Sequence, residues 1–146
     1  MAIAVRIARA ATGKDTVLFS GYHGWNDWYL AANLADDKAL DGQLLPGLKP
    51  AGVPRDLKGS AYPFAFNDTN AFLSLVEKYG DSVGAIVLEA VRNIDPDKEF
   101  FAAVRREAAR LGVPLVVDEV SSGFRINLGG AHLVLGLEPD IAVFAK

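Results

Sequence analysis

The sequence contains no cysteine among its 146 residues. Disulfide bonds and thiolate metal sites are therefore excluded, and a cytoplasmic location is expected. The two histidines, His23 and His132, lie far apart in the chain, so no metal site is expected either. No apolar run approaches the roughly 20 residues that a membrane-spanning helix needs, so we expect no membrane partner.

An excess of basic residues is also missing. The formal net charge is −3, from 15 Lys and Arg against 18 Asp and Glu. Nucleic-acid-binding domains usually present a basic surface, so we expect no nucleic-acid partner. The chain is 51% hydrophobic and 23% charged, which is typical of a globular protein with a core. A chain of this length predicts one domain.

Helical patterns and short apolar runs alternate along the chain. The runs at 83–89 and 115–117 are continuous, which is typical of strands buried on both faces of a parallel sheet. Further strands are predicted at 16–20 and 139–146, and helices at 2–11, 28–33, 68–79 and 97–111. This alternation predicts an α/β fold with a mainly parallel sheet flanked by helices.

Two stretches carry more specific expectations. Ile3, Ile7 and Ala10 fall on one face of the first predicted helix, so we expect that face to be the apolar one. Residues 36–63 contain four prolines and four glycines without sustained periodicity. This composition predicts a long irregular loop, and such loops are often functional.

Polar side chains follow the ends of the predicted strands. Tyr22 and His23 follow the first strand, Glu89 ends the second, Asp118 ends the third and Lys146 ends the last. The carboxyl ends of parallel strands meet at one edge of a sheet, where ligands bind. We therefore expect a phenol, carboxylates and an amine to line one crevice. Such a set suits an aromatic, anionic ligand with an aldehyde, because the amine can form an imine and a carboxylate can pair with a ring N–H⁺.

An ATPase is the main alternative for the carboxylates that follow the strand at 115–117. Asp and Glu in this place also occur in Walker B elements, which require a phosphate loop of the form G-x-x-x-x-G-K-[ST]. Gly13-Lys14 is the only Gly-Lys pair in the chain. It is followed by Asp15, and Ala8 stands where the first glycine belongs. The ATPase interpretation is therefore disfavoured.

Several side chains near these strand ends also have simpler interpretations. His23 by itself is more typical of a loop hydrogen bond than of a catalyst. Arg125 is expected to pair with Glu119 as a structural bridge rather than to bind substrate. Trp25 and Trp28 have two alternative roles, packing and substrate recognition, of which packing is favoured.

Four motifs occur in the chain in a specific order. They are FSGYHGWND at 19–27, IVLEAVRN at 86–93, LVVDEVSSGFR at 115–125 and PDIAVFAK at 139–146. In order and spacing they resemble class-III aminotransferases, pyridoxal-phosphate (PLP) enzymes of the aspartate-aminotransferase fold. Within that class the chain is most similar to the glutamate-1-semialdehyde aminomutase group.

The resemblance implies a role for each residue at the strand ends. Lys146 would be the catalytic lysine that holds the cofactor as an internal aldimine. Asp118 would pair with the pyridine nitrogen and keep the ring protonated. Val120 and Tyr22 would contact opposite faces of the ring. The remaining residues that the resemblance assigns to the cofactor site are His23, Glu89 and Ser121.

The implied function is PLP-dependent amino-group transfer between small amino and keto substrates. The enzyme would be a transaminase, or an aminomutase acting on a substrate like glutamate-1-semialdehyde, and a homodimer. The family's phosphate-binding turn and small domain have no counterpart in residues 1–146, so the chain is expected to be part of the large, cofactor-binding domain. The alternative is a catalytically incomplete fragment that folds or dimerises without stable cofactor binding.

Overall fold

A computed structural model describes residues 1–145 as a parallel sheet flanked by helices. The strands are β1 (Thr16–Ser20), β2 (Ala61–Pro63), β3 (Val83–Glu89), β4 (Leu115–Asp118) and β5 (Ile141–Val143). The helices are α1 (Ala2–Thr12), α2 (Asp27–Leu30), α3 (Thr69–Tyr79), α4 (Lys98–Leu111) and α5 (Ala131–Leu135). Short 3₁₀ helices span Ala31–Leu34, Arg55–Leu57 and Gly80–Ser82. The strand order is β2-β1-β3-β4-β5, with all pairs parallel, which confirms the expected fold class.

The sheet separates two apolar cores. Successive residues of a strand point to opposite faces, so β1, β3 and β4 contribute to both cores. In β3, Ala85 and Val87 belong to the core on the side of α1 and α2, whereas Ile86 and Leu88 belong to the core beneath α3 and α4. Burial on both faces explains why β3 reads as one continuous apolar run.

Two of the helices begin where the sequence predicts. Asp68 precedes α3, and its side chain accepts a hydrogen bond from the Ala71 N–H at 2.9 Å. Asp97 precedes α4 and accepts from the Glu99 N–H at 2.8 Å. These carboxylates satisfy N–H groups that the first turn of a helix leaves free, which stabilises a helix by about 1 kcal/mol per cap. Gly112 ends α4 in the left-handed conformation, at φ 66°.

The apolar face predicted for α1 was wrong. Ile3 and Ile7 are 76% and 54% exposed, while the buried residues of the helix are Ala4, Val5 and Ala8. The small side chains of Ala4 and Ala8 let the helix approach the sheet closely. The face that carries them therefore packs against the sheet, and the larger Ile3 and Ile7 remain outside. Side-chain size, as well as hydrophobic periodicity, therefore decided the orientation of this helix.

The predicted irregular loop at 36–63 contains one strand that the sequence did not indicate. Ala61–Pro63 forms β2 and pairs with β1 at the edge of the sheet. A proline is tolerated at an edge because it lacks only a donor that no neighbouring strand needs. The same segment brings the side chain of Gln43 to 2.7 Å from the Gly21 N–H, at the carboxyl end of β1. Over residues 1–145, no helix is both long enough and apolar enough to cross a bilayer.

Candidate functional site

Residues from three strand ends surround one cleft at the carboxyl edge of the sheet. Glu89 of β3 pairs in register with Asp118 of β4, and Ser20 of β1 pairs with Leu88. The turn after β1 therefore reaches the same level as both carboxylates, as expected for a parallel sheet. The cleft has a volume of about 260 Å³. Its lining residues are Met1, Tyr22, His23, Gly24, Leu44, Glu89, Asp118, Val120 and Ser121.

Asp118 is the most deeply placed carboxylate of this cleft, at 7% exposure. Its Oδ1 accepts the Val120 N–H at 3.0 Å, and its Oδ2 lies 2.8 Å from Nδ1 of His23. An ionised carboxylate can accept about four hydrogen bonds, so Asp118 retains capacity for a further donor. A carboxylate held away from water is costly without a cationic or donor partner. Asp118 is therefore suited to bind a cationic N–H group in the cleft.

His23 is buried beside Asp118 and supports it. Its Nε2 lies 3.2 Å from the Ser20 carbonyl oxygen, and its ring stacks on Trp28 with centroids 5.7 Å apart. Both ring nitrogens thus face oxygen atoms, the Asp118 carboxylate on one side and a main-chain carbonyl on the other. These contacts agree with the interpretation of His23 as a residue that forms hydrogen bonds rather than as a catalyst. Trp28 is buried as packing predicts, whereas Trp25 is 74% exposed.

The turn after β1 requires glycine at its first position. Gly21 has φ 117°, and a Cβ there would lie 2.5 Å from Oε2 of Glu89. Only glycine allows this close approach. The approach lets the Tyr22 N–H donate to Glu89 Oε2 at 3.2 Å. The Tyr22 ring meets Tyr29 edge-on, with centroids 5.7 Å apart, so the turn places a phenol at the cleft wall.

Glu89 is paired with a cation that sequence reasoning did not assign to the site. Arg92 Nη1 donates to Glu89 Oε2 at 2.8 Å. Burial raises the pKa of Glu89, and His23, the Tyr22 N–H and Arg92 oppose that shift. The available signal for Arg92 was an arginine three residues after a strand-end glutamate. Leu44, which also lines the cleft, had no comparable signal because it lies in the irregular segment.

The residues that follow β4 and β5 complete the set that the sequence assigned. Val120 and Ser121 both line the cleft, with Ser121 exposed at its surface. β5 ends at Val143, which pairs in register with Asp118. Lys146 lies outside the described residues, so its approach to Asp118 stays a prediction.

The residue after Asp118, Glu119, belongs to a separate closed cluster. It is fully buried, and its Oε1 accepts the His132 N–H at 2.7 Å and lies 2.8 Å from His132 Nδ1. The Ser122 hydroxyl donates to its Oε2. Burial by itself raises the pKa of Glu119, but these hydrogen bonds outweigh it and hold the pKa below the usual value. The predicted Glu119–Arg125 bridge was wrong, because Glu119 is already satisfied here and Arg125 donates to the Ser121 carbonyl.

The cleft residues fit the ring of pyridoxal 5'-phosphate. Asp118 offers a buried carboxylate with acceptor capacity for a protonated ring nitrogen, and His23 holds that carboxylate in place. Tyr22 and Val120 add an aromatic and a branched apolar surface to the walls. Among residues 1–145, no group of three or more His, Asp or Glu side chains is arranged to hold a metal ion.

Sequence comparison relates the chain to PLP enzymes. The family profile described as aminotransferase class-III matches residues 1–146. Glutamate-1-semialdehyde 2,1-aminomutase of Pyrobaculum arsenaticum is 38% identical over 150 residues, covering 98% of this chain and 34% of that protein. 3-Aminobutyryl-CoA aminotransferase of Cloacimonas acidaminovorans is 31% identical, over 99% of this chain and 32% of that protein. The chain therefore spans about a third of the length of these curated relatives.

Solved structures give the same result for the fold. A transaminase with PLP bound superposes with a TM-score of 0.82 at 27% identity, over 99% of this chain and 34% of that one. A glutamate-1-semialdehyde aminomutase from Pseudomonas aeruginosa superposes at 0.70 with 26% identity, over 97% of this chain and 31% of that one. The family profile and these structures show that the chain belongs to the class-III aminotransferase family, whose cofactor is pyridoxal 5'-phosphate.

Proposed function

We propose that this protein transfers amino groups between small amino and keto substrates with PLP as its cofactor. The observation that carries the proposal is Asp118, a buried carboxylate at the end of β4 in a cleft that Tyr22 and Val120 also line. When bound, the cofactor supplies an electron sink that stabilises negative charge at the substrate carbon. The residues of the chain bind the ring, orient it and keep its nitrogen protonated.

Asp118 and His23 act together in this proposal. Asp118 accepts a hydrogen bond from the protonated ring nitrogen, and its low exposure strengthens that attraction because little water screens it. His23 fixes the orientation of the carboxylate through the contact between Nδ1 and Oδ2. Partners that orient metal ligands change affinity or activity by about 10- to 100-fold when they are removed, and we expect an effect of that order here.

Lys146 is the proposed attachment point for the cofactor aldehyde. The support is the resemblance of the final motif, PDIAVFAK, which ends on this lysine. A lysine amine is an effective nucleophile toward an aldehyde when it is unprotonated, and its ordinary pKa is about 10.4. The amine can also accept a proton from the substrate carbon and return it.

Absorption spectroscopy tests the lysine assignment. Purified protein loaded with PLP should show the visible band of a covalently attached cofactor. The Lys146→Ala variant should lose the band, and Lys49→Ala, which changes an exposed lysine, should keep it. Persistence of the band in Lys146→Ala would overturn the assignment.

A catalytically incomplete unit is the second candidate. Its support is that the chain spans about a third of its curated relatives. We propose that residues 1–146 are part of the large, cofactor-binding domain, that they form a cytoplasmic homodimer, and that other residues supply the phosphate-binding turn and the small domain. Equilibrium dialysis against PLP combined with sedimentation separates the candidates. A folded or dimeric chain without PLP uptake supports the second candidate, and stoichiometric uptake supports the first.

The type of amino transfer is open to a labelling experiment. The two relatives described above carry the names of an aminomutase and an aminotransferase, and the higher identity favours the aminomutase reaction on a substrate like glutamate-1-semialdehyde. With ¹⁵N-labelled substrate and an unlabelled keto acceptor, an aminomutase yields a product that retains the label. A transaminase passes the label to a separate keto acceptor.

A further inference from the structure

Arg92 lies behind the cleft and binds two of its supporting residues. Its side chain is 8% exposed, and it is not among the cleft-lining residues. Nη1 donates to Glu89 Oε2 at 2.8 Å, and Nη2 donates to the main-chain carbonyl of Gln43 at 2.5 Å. A guanidinium is planar and always charged, so its two hydrogen bonds fix the end of β3 relative to the Gln43 loop.

Both partners of Arg92 hold the same turn. The Gln43 side-chain oxygen accepts the Gly21 N–H at 2.7 Å, and Glu89 Oε2 accepts the Tyr22 N–H at 3.2 Å. The N–H groups of Gly21 and Tyr22 are therefore bonded to the side chains of two residues, Gln43 and Glu89. Both of these residues also bond to the Arg92 guanidinium. The Tyr22 ring at the cleft wall depends on the position of this backbone.

The Gln43 loop also contributes a second wall of the cleft. Leu44, the residue after Gln43, lines the cleft beside Tyr22. The Gln43 side-chain amide donates to the Phe64 carbonyl at 3.3 Å, which connects the loop to the residue that follows β2. Arg92 bonds to both Gln43 and Glu89, so it connects the loop that carries Leu44 to the end of β3.

We propose that Arg92 is a positioning residue that fixes the Tyr22 turn and the Leu44 loop around the cofactor cleft. The inference rests on the proposed function for its kinetic readout, while its structural readout is independent of activity. Without Arg92, Glu89 is a half-buried carboxylate that lacks its cation, and Gln43 lacks the bond that holds its backbone. The Tyr22 ring and Leu44 then sample a wider range of positions, and misplacement of a binding group by about 1 Å can lower a rate by about 100-fold.

The activity-independent test is amide hydrogen exchange at Gly21 and Tyr22. In Arg92→Met we expect both amides to exchange at least tenfold faster than in the unmodified protein. Arg106→Met is the matched control, because Arg106 is an exposed arginine on α4 and its loss should leave both rates unchanged. Unchanged exchange at both amides in Arg92→Met would overturn the inference, whether or not the protein is an active enzyme.

The kinetic test compares Arg92→Met with Arg92→Lys in the PLP-loaded enzyme. Lysine keeps the charge but cannot bond Glu89 and Gln43 in the same fork geometry, so we expect losses in kcat/KM of about 100-fold for methionine and about tenfold for lysine. Gln43→Ala leaves the main-chain carbonyl that Arg92 binds but removes the side-chain bond to the Gly21 N–H. Because Arg92 holds the backbone that positions this side chain, the losses of Gln43→Ala and Arg92→Met should be less than additive. Fully additive losses, or kcat/KM within twofold of the unmodified enzyme in Arg92→Met, would contradict the inference. Failure of the unmodified protein to attach PLP would instead count against the proposed function.

Discussion

Asp118 and Glu119 are consecutive carboxylates, and each lies 2.8 Å from Nδ1 of a histidine, yet their surroundings differ. Asp118 meets His23 at a cleft and keeps acceptor capacity for another group. Glu119 is fully enclosed, with His132 and Ser122 donating to its oxygens. A carboxylate–histidine pair is therefore not itself a sign of a reactive site. Access and unused hydrogen-bonding capacity distinguish the carboxylate at the cleft from the enclosed one.

The backbone explains why the two neighbours diverge. Asp118 is the last residue of β4, so its side chain emerges at the edge of the sheet. The Glu119 N–H still bonds to the Val143 carbonyl at 2.9 Å, and its own carbonyl accepts the Gly123 N–H at 2.7 Å. Glu119 therefore anchors the loop that leads to α5. One residue of separation therefore places one carboxylate at the cleft and the other in the support of a loop.

The largest expected effect comes from Asp118→Asn. The amide keeps the shape but removes the negative charge, so the ring nitrogen of the cofactor loses its ionic partner. Breaking a buried pair costs about 4 kcal/mol, or roughly 1,000-fold in kcat/KM. Steady-state kinetics measure this loss, and urea unfolding of the same variant separates it from any stability lost at the contact with His23. A kcat/KM within tenfold of that of the unmodified enzyme would contradict the view that Asp118, unlike Glu119, serves the cleft.

Glu119→Gln should act on stability instead. Removing one charge from a buried, multiply bonded site destabilises a fold by about 3 kcal/mol. Urea unfolding measures the change, and Glu77→Gln on the exposed face of α3 is the control, with an expected effect within about 0.5 kcal/mol. Any residual folded enzyme should retain its kcat. An unchanged unfolding free energy would show that the cluster is not a structural anchor.

Substitution of His23 should lower activity and substitution of His132 should lower stability, as for their carboxylate partners, but with smaller effects. His23→Gln should reduce kcat/KM by about 10- to 100-fold, because Asp118 loses the group that orients it. His132→Gln should leave kcat/KM within about twofold and lower the unfolding free energy by about 1 kcal/mol, the usual value of one hydrogen bond. Parallel kinetics and urea unfolding on both variants provide the comparison. Equal kinetic losses would mean that both pairs serve the cleft.

The smallest expected effect is a difference in acid sensitivity. The folded-state pKa of Glu119 is held below its ordinary value of 4.5, so its ionised form stabilises the fold above that pH. This contribution is lost as the pH falls from about 4.5 through the folded-state pKa. Unfolding free energies measured between pH 7 and pH 3 should decline less steeply in Glu119→Gln. Parallel declines in the two proteins would contradict the assigned shift.

Much of the fold was predictable because it depends on local patterns. The apolar runs of β3 and β4 indicated buried parallel strands, and Asp68 and Asp97 marked the helix starts. The convergence of Glu89 and Asp118 followed from the parallel arrangement. These features need only residue composition and spacing.

Other features depended on packing that no local pattern records. The orientation of α1 was decided by how closely small residues approach the sheet, so Ile3 and Ile7 remained outside. Gln43 reaches the cleft through a loop without periodicity, and its contact with Arg92 joins residues 49 positions apart. Glu119 bonds His132 rather than Arg125 because the loop closes in that direction.

The sequence by itself indicated four of the five strands within residues 1–145, the starts of α3 and α4, and the placement of Tyr22, Glu89 and Asp118 at the carboxyl edge. Apolar runs and helix caps act within a few residues, so they can be read along the chain. The tertiary structure alone decided which carboxylate faces the cleft and which is enclosed, and which arginine holds the walls. Those outcomes depend on burial and on contacts between distant residues, and only the folded chain brings such residues within hydrogen-bonding distance.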